Sequence, residues 1–352
     1  MENYQNTSTV FIGPFAPPAN GDGVKNQFLK EGFSVFFENE IQYFDSINRG
    51  ENKMTFFRRL LNLLRKSNQI ILSLNKTGRF VLVPLCVVFS FFIKKKIMLF
   101  VMGGCFDVQI SEMPSILNKL FLFFLKKLDF VFVESKSVMN NLIAMGVTNC
   151  KIIYNPRKKI GAKWELSAIN RNKIVFISRI TPTKGVLILI EAFNKLVDKG
   201  LDLNLDFYGP IEPVFEKEFL TKVDSCASIN YRGVIDPNQV QTVFLNYHLF
   251  ALPTFHPGEG LPGVLVEAGF VGVPVVISDF NSIGEYVVNR ESASLVKPQC
   301  EEDLVHELSL IIEDDHYSQS ISEGIRYAVQ GFHLSKVMSK VKEFSTNSGW
   351  NL

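Results

Sequence analysis

At 352 residues the chain is longer than one ordinary domain and suits two of about 150–200 residues each. Hydrophobic residues at 47% and charged residues at 20% exclude a disordered or low-complexity protein, and leave only residues 1–9 and 346–352 expected to lack packing. The net charge of +2 hides an imbalance: through Glu165 there are 22 Lys+Arg against 12 Asp+Glu (+10), and beyond it 15 against 23 (−8).

That asymmetry predicts a partner surface on the first half. An anionic membrane fits better than nucleic acid, because no zinc pattern or aromatic–basic RNA motif accompanies the charge. The five cysteines are scattered and form no Cys-x-x-Cys, which argues against a zinc site or a disulfide framework and predicts a reducing, cytoplasmic setting. No basic stretch followed by a long apolar one opens the chain, so no secretory signal is expected. The most apolar run, 80–93, has 14 residues, short of the roughly 20 that span a bilayer.

Short apolar runs alternate with longer amphipathic ones, the pattern of βαβ units and a parallel sheet. In the first half strands are predicted at 10–13, 70–74, 97–102 and 130–133. Helices are predicted at 24–30, 56–66, 80–93, 116–128 and 136–145. A further strand at 151–154 stops at Asn155-Pro156, because proline cannot continue regular pairing. Residues 157–172 are polar, basic and aperiodic, and read as a linker between domains at 1–156 and 173–330. The alternation then restarts, with strands at 173–177, 203–208, 249–252 and 273–277. Helices follow at 184–199, 216–225, 237–246, 263–271 and 301–312, and residues 331–352 end in a helix at 335–344 that can pack back on the first domain. The fold class is therefore α/β, two Rossmann-like domains facing across a cleft, where such sheets take their ligands.

Three strand-to-helix junctions have the chemistry of phosphate sites. In the first, 12–24, Gly21 and Gly23 can adopt angles barred to other residues and bring main-chain N–H groups to an anion at a helix start; a tight turn would use the same glycines. In the second, Ser178-Arg179-Ile180-Thr181-Pro182-Thr183-Lys184-Gly185, a guanidinium fork and an ammonium stand at the positive end of a helix. The third runs from Phe255 through Glu259, Gly260 and Leu261 into a helix that carries Glu267. Its two carboxylates can accept hydrogen bonds from the hydroxyls of one bound molecule, and the apolar neighbours of Glu267 mark a buried helix on which a carboxylate needs partners.

Together, Ser178-Arg179-x4-Lys184-Gly185, Tyr208-Gly209-Pro210, Glu259-x7-Glu267 and Gly272-Val273-Pro274-Val275-Val276 resemble the retaining glycosyltransferases of family four, which have the GT-B fold. The resemblance is tight over 174–285 and looser before Asn155. It implies that Arg179 and Lys184 bind the diphosphate of a nucleotide-sugar donor, that Glu259 contacts the transferred sugar and Glu267 the ribose. Arg232-Gly233-Val234 would meet the nucleobase through main-chain atoms, with Gly260 and Leu261 completing the donor loop. It further implies a glycan or lipid-linked acceptor and bacterial surface polysaccharide synthesis, while the basic first half predicts a peripheral place on the inner face of the cell membrane. No cofactor is expected beyond the donor substrate. A departing nucleoside diphosphate gathers negative charge that something must stabilise. No Asp-x-Asp metal motif occurs in the chain, so Arg179, Lys184 and helix N-termini are expected to serve and no metal is expected.

Two features depart from the family. Asp22 stands between the two glycines and would repel phosphate unless it points away. All five histidines (His248, His256, His306, His316, His333) lie in the second half, so the family's first-domain histidine has no counterpart. After the strand at 97–102 the chain reads Gly103-Gly104-Cys105-Phe106-Asp107, and Asp107 is the candidate to meet a sugar or acceptor hydroxyl, although aspartate also caps turns. His256 beside the glutamate loop reads as structural. Competing readings are another GT-B sugar-nucleotide enzyme, such as an epimerase, and a noncatalytic partner that keeps the fold; intact Arg179, Lys184, Glu259 and Glu267 weigh against the second. A nicotinamide dehydrogenase is poorer, with Asn26 where the third glycine of Gly-x-Gly-x-x-Gly would fall.

Overall fold

The computed structural model describes residues 8–16, 21–48, 50–101, 103–167 and 170–352. It divides into two units, Met1–Arg157 with Phe332–Leu352, and Lys158–Gly331.

In the first unit the elements are β1 (Thr9–Gly13), α1 (Gly21–Phe36), β2 (Ile41–Asp45), α2 (Lys53–Lys66), β3 (Gln69–Leu74), α3 (Lys76–Phe92) and β4 (Lys96–Val101). They continue with α4 (Phe106–Ser111), α5 (Ser115–Leu125), β5 (Phe130–Val133), α6 (Lys136–Ala144) and β6 (Cys150–Ile152). All six strands are parallel, in the order β2-β1-β3-β4-β5-β6. The central strands are buried along their whole length, β5 as an unbroken apolar run and β3 with Gln69 and Ser73 among its apolar residues, because helices cover both faces. One face is packed by Leu60, Leu64, Val83, Val87, Phe121 and Leu125.

The second unit holds β7 (Lys173–Ile177), α7 (Val186–Asp198), β8 (Asn204–Tyr208), α8 (Glu216–Asp224), β9 (Ile229–Tyr231) and α9 (Val240–Phe244). Then come β10 (Leu249–Leu252), α10 (Gly263–Val271), β11 (Val275–Ser278), β12 (Ser294–Val296), α11 (Glu301–Glu313) and α12 (Asp315–Ala328). Its parallel order is β12-β11-β10-β7-β8-β9. The final helix, α13 (Leu334–Asn347), belongs to the first unit: Val337, Met338 and Val341 join Phe11, Phe33, Phe100 and Phe132 in the core on the sheet's other face. Gly32 on α1 lets it come close, since a Cβ there would lie 2.6 Å from Met338.

Several local expectations are corrected. Helix α1 starts at Gly21 rather than at residue 24, so Gly21 and Gly23 are first-turn helical residues and not a strained loop. Residues 346–349 are exposed, but the end of the chain is anchored: Trp350 is buried, Leu352 packs against the same core, and Asn39 Nδ2 donates to Asn351 Oδ1 at 3.0 Å. The edge strands β2, β9 and β12 and the helices α4 and α12 escape the sequence pattern. β2 is half exposed and mixes Gln42 and Tyr43 with its apolar residues. α12 turns Ser318 and Ser322 inward beside Ile321 and Ile325, so its buried face is not an apolar stripe. Residues 17–20 of the first glycine loop, residue 102 at the end of the strand predicted at 97–102, and residues 1–7 lie outside the described residues.

Candidate active site

The second unit has its topological switch between β7 and β10: successive strands run outward from β7 through β8 and β9, then the chain returns to place β10 on the other side. Ligands of such sheets bind at the carboxyl ends of the strands flanking that switch. The loops that leave β7 and β10 there are the two richest in candidate residues.

They are fastened residue by residue. Phe255 N–H donates to Thr183 O at 2.9 Å, and the Thr183 hydroxyl lies 3.0 Å from His256 Nδ1. Lys184 Nζ forms an ion pair with Glu259 Oε2, which also accepts from the Thr254 hydroxyl at 3.2 Å. Gly185 has φ +78°, and a Cβ there would lie 2.0 Å from Pro253 O, so the loops meet main chain to main chain. Behind them, Asn281 Nδ2 donates to the carbonyl of Glu259 at 2.9 Å.

The Lys184 side chain is 6% exposed and that of Glu259 11%. Burial pushes the Lys184 ammonium below its usual range, the Glu259 carboxylate raises it again, and Arg179 adds to the lowering. His256 is likewise held below its ordinary value, first by burial and then by Lys184 and Arg179. The pairing of His256 with the Thr183 hydroxyl agrees with its structural reading. Arg179 is exposed on the same loop, and its charge reaches both neighbours.

The Arg179 loop is joined in turn to the ends of β8 and β9. Ile180 N–H donates to Pro210 O at 2.9 Å, and Gly209 N–H to Gly233 O at 2.9 Å. Gly209 admits no side chain, since a Cβ would lie 1.8 Å from Ser178 O. Gly233 has φ +84°, Val234 is 68% exposed, and Arg232 Nε is tethered to Asp206 Oδ2 at 3.0 Å. Glu267 is buried on α10, and Leu261 is buried just before it. Thus Arg179, Lys184, Glu259, Gly233 and Val234 come from loops that are physically tied together.

Asp107, Gly21 and Gly23 belong to the first unit. Asp107 is buried in the first turn of α4, where Asn141 Nδ2 donates to Oδ2 at 2.6 Å, while buried Oδ1 has no hydrogen-bond partner among the described residues. A cluster that sequence reasoning missed lies at the ends of β4 and β5. Lys25 Nζ pairs with Glu134 Oε1 at 2.6 Å and donates to Val101 O at 3.0 Å. Arg79, 1% exposed, lies over the Phe106 ring at 4.8 Å and donates to Gln109 Oε1 at 3.0 Å. Burial pulls Arg79 down to about 10, against the opposing influence of Asp22, Cys105 and Glu134. Asp22 therefore supports a buried cation. No spacing rule could have found this cluster, because its members come from five separate elements and loops.

Two parallel doubly wound units of this kind define a GT-B-type α/β protein. Residues 162–327, a little under half of the chain, match the family model described as "Glycosyl transferases group 1". Across 184 residues it is 24% identical to the capsular polysaccharide biosynthesis glycosyltransferase CapM of Staphylococcus aureus, covering 51% of this chain and 47% of that protein. Over 186 residues it is 23% identical to an Escherichia coli UDP-Gal:α-D-GlcNAc-diphosphoundecaprenol α-1,3-galactosyltransferase, covering 51% and 47%. The chain spans about half the length of these curated relatives. Among solved structures, Anabaena HepE in complex with UDP and glucose superposes with a TM-score of 0.76 at 15% identity, covering 97% of this chain and 100% of that one. Sucrose-phosphate synthase from Thermosynechococcus elongatus gives 0.74 at 13% identity, covering 97% and 99%.

Proposed function

We propose that the protein is a retaining, metal-independent glycosyltransferase that moves a sugar from a nucleotide-diphosphate donor to a glycan or lipid-linked acceptor in bacterial surface polysaccharide synthesis. The observation that carries this reading is the joining of Arg179, Lys184 and Glu259 at the second unit's switch point. Two cations there suit a diphosphate, and a carboxylate beside them suits the hydroxyls of its sugar. Glu267 is the ribose contact, and Gly233, Val234, Gly260 and Leu261 line the donor. In the first unit, α1 presents Gly21 and Gly23 at its start, and Asp107 is the carboxylate for a sugar or acceptor hydroxyl, oriented by Asn141. The Escherichia coli relative's lipid-diphosphate substrate and the UDP complex of the Anabaena structure favour a UDP-sugar and a lipid-linked acceptor.

Transfer should proceed with excess EDTA present, and NMR of the new linkage should show the donor's anomeric configuration retained. Activity abolished by EDTA and restored by Mg²⁺ would overturn metal independence, and an inverted linkage would overturn retention.

We further infer that the first unit sits peripherally on an anionic membrane. Among the described residues no helix is long and apolar enough to cross one. The outer faces of α3 and α5 carry exposed Val81, Val88, Phe92, Ile116, Leu117 and Leu120, and the exposed Phe91 and Phe123 rings stack between the helices at 6.5 Å. Exposed Lys94, Lys119 and Lys127 stand among them. The basic count overstates the charge available, since Arg79 is buried and Lys95 and Lys96 donate to the carbonyls of Ser67, Ser348 and Gly349. Each remaining cation near an anionic leaflet contributes about 1 kcal/mol. Cosedimentation with vesicles should require anionic lipid and fall steeply with salt; equal binding to neutral vesicles, or none at low salt, would exclude this surface.

A further inference from the structure

The ion pair between Lys184 and Glu259 has a consequence for which ligand the site prefers. Both side chains are nearly buried, and each supplies the other's main charged partner: Glu259 Oε2 takes the ammonium and, besides it, only the Thr254 hydroxyl at 3.2 Å among the hydrogen bonds resolved. A buried charge whose partner is removed is costly. An incoming diphosphate competes with Glu259 for the ammonium, so binding it leaves the carboxylate short of a donor. A sugar attached to that diphosphate can repair the loss with its hydroxyls. A bare nucleoside diphosphate cannot.

We propose that the Lys184–Glu259 pair discriminates intact donor from spent nucleotide: it opens at full cost for a nucleoside diphosphate, at reduced cost for a nucleotide sugar, and closes again to help expel the product. Glu259 is then a specificity-determining residue for the ground state as well as a sugar contact. This rests on the donor-site reading above. The two loops support such an exchange, because Thr183 and Gly185 stay fastened to Phe255, His256 and Pro253 by contacts that do not involve either charged group.

The test is calorimetric titration of the full chain with UDP, GDP and ADP and with UDP-glucose, using wild type, Glu259→Gln, Glu259→Ala and Lys184→Ala. The nucleoside diphosphate that wild type binds best should bind about tenfold tighter to Glu259→Gln, the scale of one charge-assisted hydrogen bond. Glu259→Ala should move the same way, and UDP-glucose should gain less than the bare nucleotide in both. Unchanged or weaker nucleotide binding in both Glu259 variants, with Lys184→Ala still weakening it, would overturn the discrimination while leaving the diphosphate site standing. If no nucleoside diphosphate binds wild type more tightly than Lys184→Ala, the site reading fails and this proposal with it.

Discussion

Glu259→Gln is expected to lower kcat by roughly 10²–10³-fold while donor KM changes only a few-fold, the signature of an interaction stronger in the transition state than in the ground state. As a sugar leaves its phosphate, positive character develops on the ring, and a carboxylate held beside it stabilises that charge where an amide cannot. The substitution keeps the shape and hydrogen-bonding reach of the side chain, so Thr254 and Asn281 can still hold the loop. It removes only the charge. In the ground state the loss of sugar affinity is offset by release of Lys184, which is why KM should barely move. A variant with kcat near wild type would remove Glu259 from the reacting centre, whatever its effect on binding.

The second large effect is expected from Gly185→Ala. The residue sits at φ +78°, where a Cβ costs about 1–2 kcal/mol in backbone strain. The larger penalty is steric: the new atom would stand 2.0 Å from Pro253 O and 2.7 Å from Pro253 C, both main-chain atoms that cannot rotate away. Relief requires the β7 and β10 loops to separate, which breaks the Thr183–Phe255 and Thr183–His256 bonds and withdraws Lys184 from Glu259. Nucleoside diphosphate binding should fall more than tenfold, and the melting temperature of the unit Lys158–Gly331 by about 3–5 °C, as 1–2 kcal/mol implies for a unit of that size. Gly200→Ala is the control. It also has positive φ, at +92°, but its Cβ would meet nothing within 4 Å, so it should lose some stability and no nucleotide affinity. Wild-type nucleotide binding by Gly185→Ala would mean that the packing of these loops does not shape the site.

What the sequence determined by itself was the class of architecture and the chemistry of its loops. Alternating apolar runs and amphipathic helices require parallel βαβ units, since buried strands such as β3 and β10 cannot be satisfied otherwise. Cations after β7 and carboxylates after β10 are local facts of the chain. Physical reasons hid the rest. Polar edge strands such as β2 and a helix with serines on its inner face, α12, bury too little apolar surface to mark themselves. Glycines at a helix start look like glycines in a loop, so the sequence pattern alone puts Gly21 and Gly23 before α1 rather than in its first turn. Only tertiary structure could set Lys184 against Glu259, 75 positions away, because their meeting depends on β7 and β10 being neighbours at the switch point. The same holds for the buried Lys25–Glu134 pair and for α13, which joins the first unit because one face of that sheet would otherwise lack part of its apolar cover.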